Sequence, residues 1–221
     1  IRVLWPDDQT QLLTNVQADQ QLLIKHSEAT GNFVSPAAET SATYLTELPN
    51  GVMQMHEENL FNDFDQEGLI SKKLSQEGPA LATVDVDGDG DEDVYIGGAK
   101  GQEGKLYLHQ GNGKLKPTEQ QSFIDDAYFE DVAATFVDVD GDQDMDLIVG
   151  NGGNESIDQK YYGVRMYLND GKGKFTRSPD ELPSAKHNVS VITASDVDGD
   201  GDMDLFIGSR SVPAYYGEVR R

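Results

Sequence analysis

Three stretches of the sequence place aspartates at alternate positions of one short segment. They read DVDGDGDEDVYIG from Asp85, DVDGDQDMDLIVG from Asp138 and DVDGDGDMDLFIG from Asp196. In each copy Asp stands at relative positions 1, 3, 5, 7 and 9, and Gly stands at position 4. Carboxylates this dense repel one another unless a cation neutralises them, and Ca²⁺, which takes about six to eight oxygen ligands, suits such a set. The sequence therefore predicts three calcium loops.

Each loop is predicted to join two strands. We expect positions 1, 3, 5 and 9 to supply carboxylates and position 7 to supply its backbone carbonyl. An EF-hand loop begins in the same way but needs Glu at position 12, which here is Ile96, Val149 and Ile207. The residues that follow each loop are β-branched or aromatic and end in Gly, a pattern that predicts a strand and not a helix. An EF-hand is therefore excluded.

The pattern Asp-x-Asp-Gly-Asp-x-Asp-x-Asp between two strands, ending in a hydrophobic residue and Gly, resembles the calcium loop of FG-GAP or VCBS repeats. These repeats are the blades of integrin-α-like β-propellers. The resemblance implies side-chain ligands at Asp85, Asp87, Asp89, Asp93, Asp138, Asp140, Asp142, Asp146, Asp196, Asp198, Asp200 and Asp204. It implies carbonyl ligands at Asp91, Asp144 and Asp202. At position 6 the second loop has Gln143 instead of Gly, and if this position needs a positive φ, the second site should bind more weakly.

The spacing of the copies predicts propeller blades. The loops begin 53 residues apart (85 to 138) and 58 residues apart (138 to 196), which suits a blade of four short strands. The predicted strands are PALATVDV, DVYIGGA, KLYLHQ and KLKPTE, then AATFVDV, DLIVGN, VRMYLND and KFTRS, with hairpin turns at 111–113 and 170–173. The third copy supplies VSVITASDV and DLFIG only. We therefore predict an all-β fold, a partial β-propeller of four-stranded antiparallel blades over 78–221.

Residues 1–28 predict a short N-terminal β module of three strands, IRVLW, TQLLTNV and QLLIKHS, with a turn at 6–8. This text resembles the ASPIC/UnbV module, which accompanies FG-GAP repeats in bacterial relatives of cartilage acidic protein. The residues that carry the resemblance are Trp5, Pro6, Asp7, Gln11, Leu13, Asn15, Val16, Gln20 and Gln21. Asp8 stands where that family has Gly.

Residues 29–77 predict a linker followed by an irregular segment, with a turn at Asn50 and Gly51 and a strand that ends at Met55. HEENLFNDFD followed by KKLSQEGPAL resembles the corresponding stretch of the bacterial family members. Its clustered polar residues suggest a metal or catalytic site: His56, Glu57, Glu58, Asp63 and Asp65. The preferred interpretation is a surface loop with Phe61, Phe64 and Leu69 packed beneath it.

The charge balance restricts the partners. The chain has 40 acidic and 17 basic residues and a formal net charge of −23, and three bound Ca²⁺ would offset only part of it. Nucleic acids and anionic lipids need basic patches, so neither is an expected partner. The sequence has no apolar run of about 20 residues, so it predicts no insertion into a membrane. The absence of Cys excludes disulfides. Because weak calcium sites fill where calcium is plentiful, we expect the protein outside the cell or on its surface.

The sequence begins at Ile1 without an initiator Met or a signal peptide. We therefore expect an excerpt from a longer or processed chain, with the remaining blades supplied by that parent.

The residues do not indicate catalysis. The four His are scattered, and neither a Gly-x-Ser-x-Gly elbow nor a phosphate loop occurs. We predict a non-catalytic, calcium-stabilised module that recognises or adheres to a protein or a glycan. The alternative is part of a calcium-dependent carbohydrate-active enzyme of the polysaccharide lyase type, which needs a cluster at the propeller mouth from Tyr161, Tyr162, Arg165, Arg210, Tyr215 and Tyr216. A disordered acidic calcium buffer is a third hypothesis, which the regular strand pattern disfavours.

Overall fold

The computed structural model describes residues 1–34, 53, 55–179, 182 and 187–213. The predicted turn at Asn50 and Gly51, most of the predicted linker, and Tyr215 and Tyr216 lie outside these residues. The chain divides into two compact units, Ile1–Pro49 and Asn50–Arg221. No helix in the described part is long and apolar enough to cross a lipid bilayer.

The N-terminal unit contains a three-stranded antiparallel sheet in the order β1-β2-β3. The strands are β1 (Arg2–Leu4), β2 (Gln9–Leu12) and β3 (Gly31–Asn32). The predicted turn between β1 and β2 is confirmed, because the Asp8 amide donates to the Trp5 carbonyl over 3.0 Å. Asp8 has a φ of 63°, so it takes the backbone conformation for which Gly is favoured.

The predicted third strand, QLLIKHS, is wrong. Its end enters a 3₁₀ turn, His26–Glu28. The His26 ring packs edge-on against Trp5, and its Nε2 lies 2.9 Å from Asp7 Oδ2. The place beside β2 is taken by β3, from the predicted linker. A Cβ on Gly31 would lie 2.4 Å from Thr10 Oγ1, so this short strand approaches β2 more closely than a larger residue allows.

The unit Asn50–Arg221 consists of antiparallel blades, as predicted. The first sheet has the order β4-β5-β6-β7, with β4 (Leu81–Val84), β5 (Asp93–Ile96), β6 (Lys105–His109) and β7 (Leu115–Pro117). The second has the order β11-β10-β9-β8, with β8 (Asp131–Val137), β9 (Asp146–Asn151), β10 (Gly163–Asn169) and β11 (Phe175–Arg177). The third sheet pairs β12 (Asn188–Ser195) with β13 (Asp204–Ser211). A short helix not predicted from the sequence, α1 (Gln121–Asp125), links the first two blades.

The core lies between successive blades. A cluster between the first and second blades contains Val86, Tyr95, Leu106, Phe123, Leu147, Val149, Tyr167 and Phe175. A second cluster contains Val137 and Ile148 of the second blade with Val189 and Ile192 of the third. Side chains alternate along a strand, so Leu147 and Val149 of β9 belong to one cluster and Ile148 belongs to the other. The second blade is thus covered on both faces, and every residue of β9 is buried.

The Gly that ends each aspartate motif makes room for a neighbouring side chain. A Cβ on Gly97 would lie 2.5 Å from the Asp131 Cβ, and a Cβ on Gly150 would lie 2.5 Å from Val189 Cγ1. Both contacts reach the next blade along the chain. In the third blade a Cβ on Gly208 would meet Val191 of its own sheet at 2.7 Å. The closing Gly of the motif therefore lets successive blades pack closely.

The segment before the first blade differs from its prediction. Neither Met53 nor Met55 is in a strand. Phe64 is 44% exposed and Leu69 is 83% exposed, so the idea that they pack beneath a surface loop is wrong. Instead Asp63 and Glu67 are buried. Asp63 bonds to Leu74 and Ser75 within the same segment, and Glu67 accepts from Asn154 of the second blade.

Candidate metal centres

The three aspartate loops share one set of hydrogen bonds. The carboxylate at position 1 accepts from the amides of positions 4 and 6, at 2.7 to 3.1 Å in all three loops. Position 3 accepts from the amide of position 5, and position 5 accepts from the amide of position 7. Position 9 reaches back to accept from the amide of position 2 at 3.0 Å. The sequence thus folds each loop around its own carboxylates.

The loops bring together the carboxylates of positions 1, 3 and 9. The three sets are Asp85, Asp87 and Asp93; Asp138, Asp140 and Asp146; and Asp196, Asp198 and Asp204. In each set one oxygen from every residue lies within 4.8 Å of the others. Oxygen atoms from three carboxylates are the donors that a hard cation prefers, so the residues present fit Ca²⁺.

The remaining predicted ligands lie in the loops but outside these sets. Position 5 is occupied by Asp89, Asp142 and Asp200, and position 7 is occupied by Asp91, Asp144 and Asp202. In the turn hydrogen bonds described above, the residues at position 5 both donate and accept, and the residues at position 7 donate their amides. The Asp91 carboxylate also lies 3.0 Å from His109 Nδ1.

Electrostatics at the first two loops favours a cation. Burial raises the pKa of Asp93, and the carboxylates of Asp87 and Asp89 oppose the lowering effect of its amide hydrogen bonds. Burial raises the pKa of Asp146 in the same way. A bound cation stabilises the ionised form of such a carboxylate, because its positive charge offsets both the desolvation penalty and the repulsion between like charges.

Comparison with known families agrees with this geometry. A family model described as FG-GAP-like repeat matches residues 85–149 and again residues 138–207, which together make up more than half of the chain. The chain belongs to the FG-GAP-like repeat family. A second model, described as ASPIC and UnbV, matches residues 1–31 at the N-terminus. A comparison with curated proteins found no match. The FG-GAP repeats indicate an integrin-like β-propeller module.

The FG-GAP loops differ in how they are anchored. Asp93 also accepts from the His109 amide of β6, and Asp146 accepts from the Asn169 amide of β10, each at 2.8 Å. These bonds tie the loop to the third strand of its own blade. In the described part of the third blade, which has two strands, Asp204 is exposed and its carboxylate accepts from the Val197 amide of its own loop. The first two loops are therefore held more firmly than the third.

Position 6 needs a positive φ in every FG-GAP loop, as the sequence suggested. The φ values are 93° at Gly90, 74° at Gln143 and 98° at Gly201. A residue with a Cβ is disfavoured in this conformation. Gln143 therefore adds strain to the second loop.

The residues predicted to mark a catalytic mouth do not converge in the described part. Arg165 is buried, where its guanidinium donates to the Asn151 side chain at 2.7 Å and pairs with Asp131. Tyr162 is buried, and its hydroxyl donates to the Ser156 carbonyl at 2.6 Å. Arg210 instead pairs with Glu77. Arg165 and Asp131 connect neighbouring FG-GAP blades, because the Tyr95 hydroxyl of the first blade also donates to Asp131 at 2.8 Å.

Sequence reasoning missed a group of buried acids in this unit. Asp63 accepts from the amides of Leu74 and Ser75 and from the Ser75 hydroxyl. Burial by itself would raise its pKa, but these donors hold the pKa below the usual value. Glu67 and Glu130 are also buried. The sequence signal for this group is the cluster of acids around Asp63, although a surface loop is the interpretation that the sequence favours.

Proposed function

We propose that the chain is a calcium-stabilised, non-catalytic recognition module that works outside the cell or on its surface. The observation that carries the proposal is the repetition of one loop geometry, in which three carboxylates meet within 4.8 Å at each of three sites. The FG-GAP matches over the same residues support it.

The role of calcium in this proposal is thermodynamic. Each loop joins the first and second strands of a blade, and its carboxylates repel one another when no cation is bound. Ca²⁺ binds this arrangement only in the folded state. It therefore stabilises the fold by RT ln(1 + [Ca]/Kd) per site, about 2.7 kcal/mol at a hundredfold excess over Kd. Exposed acidic loops of this kind fill where calcium is abundant, which supports an extracellular or cell-surface location.

A recognition surface is available where the β5–β6 loop of the first blade meets the second blade. The Tyr128 and Tyr161 rings lie with centroids 4.6 Å apart, and Tyr128 is 52% exposed. Lys100 Nζ lies 5.3 Å from the Tyr128 centroid, and Lys160 Nζ lies 4.7 Å from the Tyr161 centroid. Tyrosine is enriched in binding interfaces, because its ring is apolar and its hydroxyl forms hydrogen bonds. These four residues, the tyrosine patch, suit a polar or acidic glycan or protein.

The proposal is tested by binding to arrays of glycans and extracellular matrix proteins, in calcium and in chelator. We expect binding in calcium that is lost in chelator and is weakened at least tenfold by Tyr128→Ala or Tyr161→Ala. Phe206→Ala is the matched control, because Phe206 is an exposed aromatic residue outside the patch. Equal binding in chelator, or equal binding by the tyrosine variants and the control, would contradict the proposal.

A further inference from the structure

Glu130, immediately before β8, is a buried carboxylate without a partner. It is 3% exposed, and neither Oε1 nor Oε2 has a hydrogen-bond partner. Within the described residues no Lys or Arg forms an ion pair with it. An ionised carboxylate in this position carries a large desolvation cost unless a proton or a cation compensates it.

A second carboxylate lies beside Glu130. A Cβ on Gly153 would lie 2.3 Å from Glu130 Oε2 and 2.5 Å from Glu155 Oε2, so the two oxygens are near neighbours. Gly153, with a φ of 83°, is the residue that lets them approach. The Asn154 amide donates to Glu155 Oε2 at 3.0 Å and fixes that side chain.

Further oxygens without partners belong to the same neighbourhood. Asn154 is 1% exposed, and its Nδ2 donates to Glu67 Oε2 at 2.9 Å. This bond fixes the amide, because exchanging its two ends would place oxygen against a carboxylate. Asn154 Oδ1 is then buried without a donor, as is Glu58 Oε2. The other Glu58 oxygen is 2.8 Å from His56 Nε2.

Burial raises the pKa of Glu130 to about 10, and the Glu155 and Glu58 carboxylates contribute to the increase. One proton shared between Glu130 and Glu155 would satisfy that pair. It would leave the oxygens of Asn154 and Glu58 without partners, and a cation can contact several oxygens at once.

The location separates this group from the aspartate loops. β8 and β9 are antiparallel, and the second calcium loop joins the end of β8 to the start of β9. Glu130 precedes β8, and Asn154 and Glu155 follow β9. Glu130, Asn154 and Glu155 therefore lie at the opposite end of these strands from the second aspartate loop.

We propose that Glu130, Glu155 and Asn154 form an additional site for a divalent cation, which takes Ca²⁺. All the available donors are oxygens, which suits Ca²⁺ better than Zn²⁺, because Zn²⁺ prefers nitrogen and sulfur. Asn59, from the segment before the first blade, donates through Nδ2 to Glu155 Oε1 at 3.5 Å. The inference does not depend on the three aspartate loops.

The experiment uses the full chain after removal of metal, with Glu130→Gln as the test variant. Glutamine keeps the shape of Glu130 but removes its charge. Glu119→Gln, at an exposed Glu of the same unit, is the matched control. Calorimetric titration with Ca²⁺ should give one ion fewer per chain for E130Q than for wild type or E119Q. If E130Q does not fold, Glu155→Gln provides the same test.

Thermal unfolding supplies a second measurement. In chelator, E130Q should be at least as stable as wild type, because glutamine is uncharged and needs no proton when it is buried. In calcium, E130Q should show a smaller increase in Tm. Equal ion counts and equal Tm increases for E130Q and wild type would overturn the inference. A D87A/D140A/D198A variant separates the two proposals, because it removes the loop sites and should retain one ion that E130Q then eliminates.

Discussion

At the scale of single residues, the aspartates of one loop have different structural roles. Asp93 and Asp146 accept amides from two parts of the backbone and are buried, so they hold the loop in place as well as offering a ligand oxygen. Asp87 and Asp198 accept only from the amide two residues later, at 3.3 and 3.2 Å. Position 3 is therefore the place where a ligand can be removed with little structural damage.

Replacing Asp87 or Asp198 by Ala should cost more stability in calcium than in chelator. In calcium each variant loses the stabilisation from one bound ion, about 2 to 3 kcal/mol at saturating calcium. In chelator it loses a weak local hydrogen bond and also a repulsive charge. Denaturant unfolding in both media measures the difference, and Asp125→Ala, at an exposed Asp outside the loops, is the control. Equal losses in both media would rule out a ligand role for position 3.

Replacing Gln143 by Gly should stabilise the second loop. Gln143 has a φ of 74°, which costs about 1 kcal/mol for a residue with a Cβ. Its interaction with Asp138 uses only the backbone amide, which Gly retains. We expect Q143G to raise the free energy of unfolding by about 0.5 to 1 kcal/mol and to tighten one calcium site. An unchanged or lower stability would show that the strain is relieved in another way.

Glu130 should make the metal-free protein sensitive to pH. Burial and the Glu155 carboxylate raise its pKa to about 10, from the ordinary value of 4.5. In the unfolded chain this carboxyl has its ordinary, lower pKa and loses its proton at a lower pH. The contribution of the bound proton to folding stability is therefore complete below that pKa and is lost as the pH rises towards 10. In chelator between about pH 6 and 9, wild type should lose up to about 1.4 kcal/mol per pH unit relative to E130Q. Parallel pH profiles from urea unfolding of the two proteins would contradict this account of Glu130.

At the scale of the elements, the closing Gly of each motif explains how one blade meets the next. Gly150 in β9 faces Val189 and Ile192 of the third blade, and its added Cβ would overlap both side chains. Gly208 in β13 faces Val191, which is partly exposed and has room to turn. The same motif position therefore has a packing role that depends on the following blade.

Gly150→Ala should destabilise the protein by about 1 to 3 kcal/mol, because it overpacks the boundary between two blades. Gly208→Ala should cost less than 1 kcal/mol, since the Val191 side chain can move. Thermal unfolding of the two variants under the same calcium concentration compares them. Equal losses of stability in the two variants would show that packing between blades does not explain the need for Gly at position 13.

The strands of the first two blades could be predicted because their information is local. Alternating apolar residues and turns rich in Asn, Asp and Gly define each of the strands β4 to β11 from the sequence of its own blade. The buried acids could not be predicted in this way. Glu67 meets Asn154 from 87 residues away, and nothing near Glu67 in the sequence indicates that partner. The prediction of a strand at QLLIKHS is wrong for a related reason, because the contacts of His26 with Asp7 and Trp5 override the strand pattern.

At the scale of the molecule, the acidic charge affects the stability of the blades. The chain carries a formal net charge of −23, and fifteen of its aspartates lie in the three loops. Their repulsion opposes a compact fold, and bound cations remove part of it. The described blades do not close into a ring, and the third contributes two strands.

The central claim is that the loops bind Ca²⁺ and that this binding stabilises the fold. The most direct measurement is thermal unfolding of the chain in a calcium titration against a chelator control, combined with the number of ions bound per chain. We expect a large increase in Tm with three bound ions, or four if the Glu130 site also binds. An unchanged Tm, or a chain that binds no Ca²⁺, would contradict the claim and leave the aspartate loops as turns without a metal.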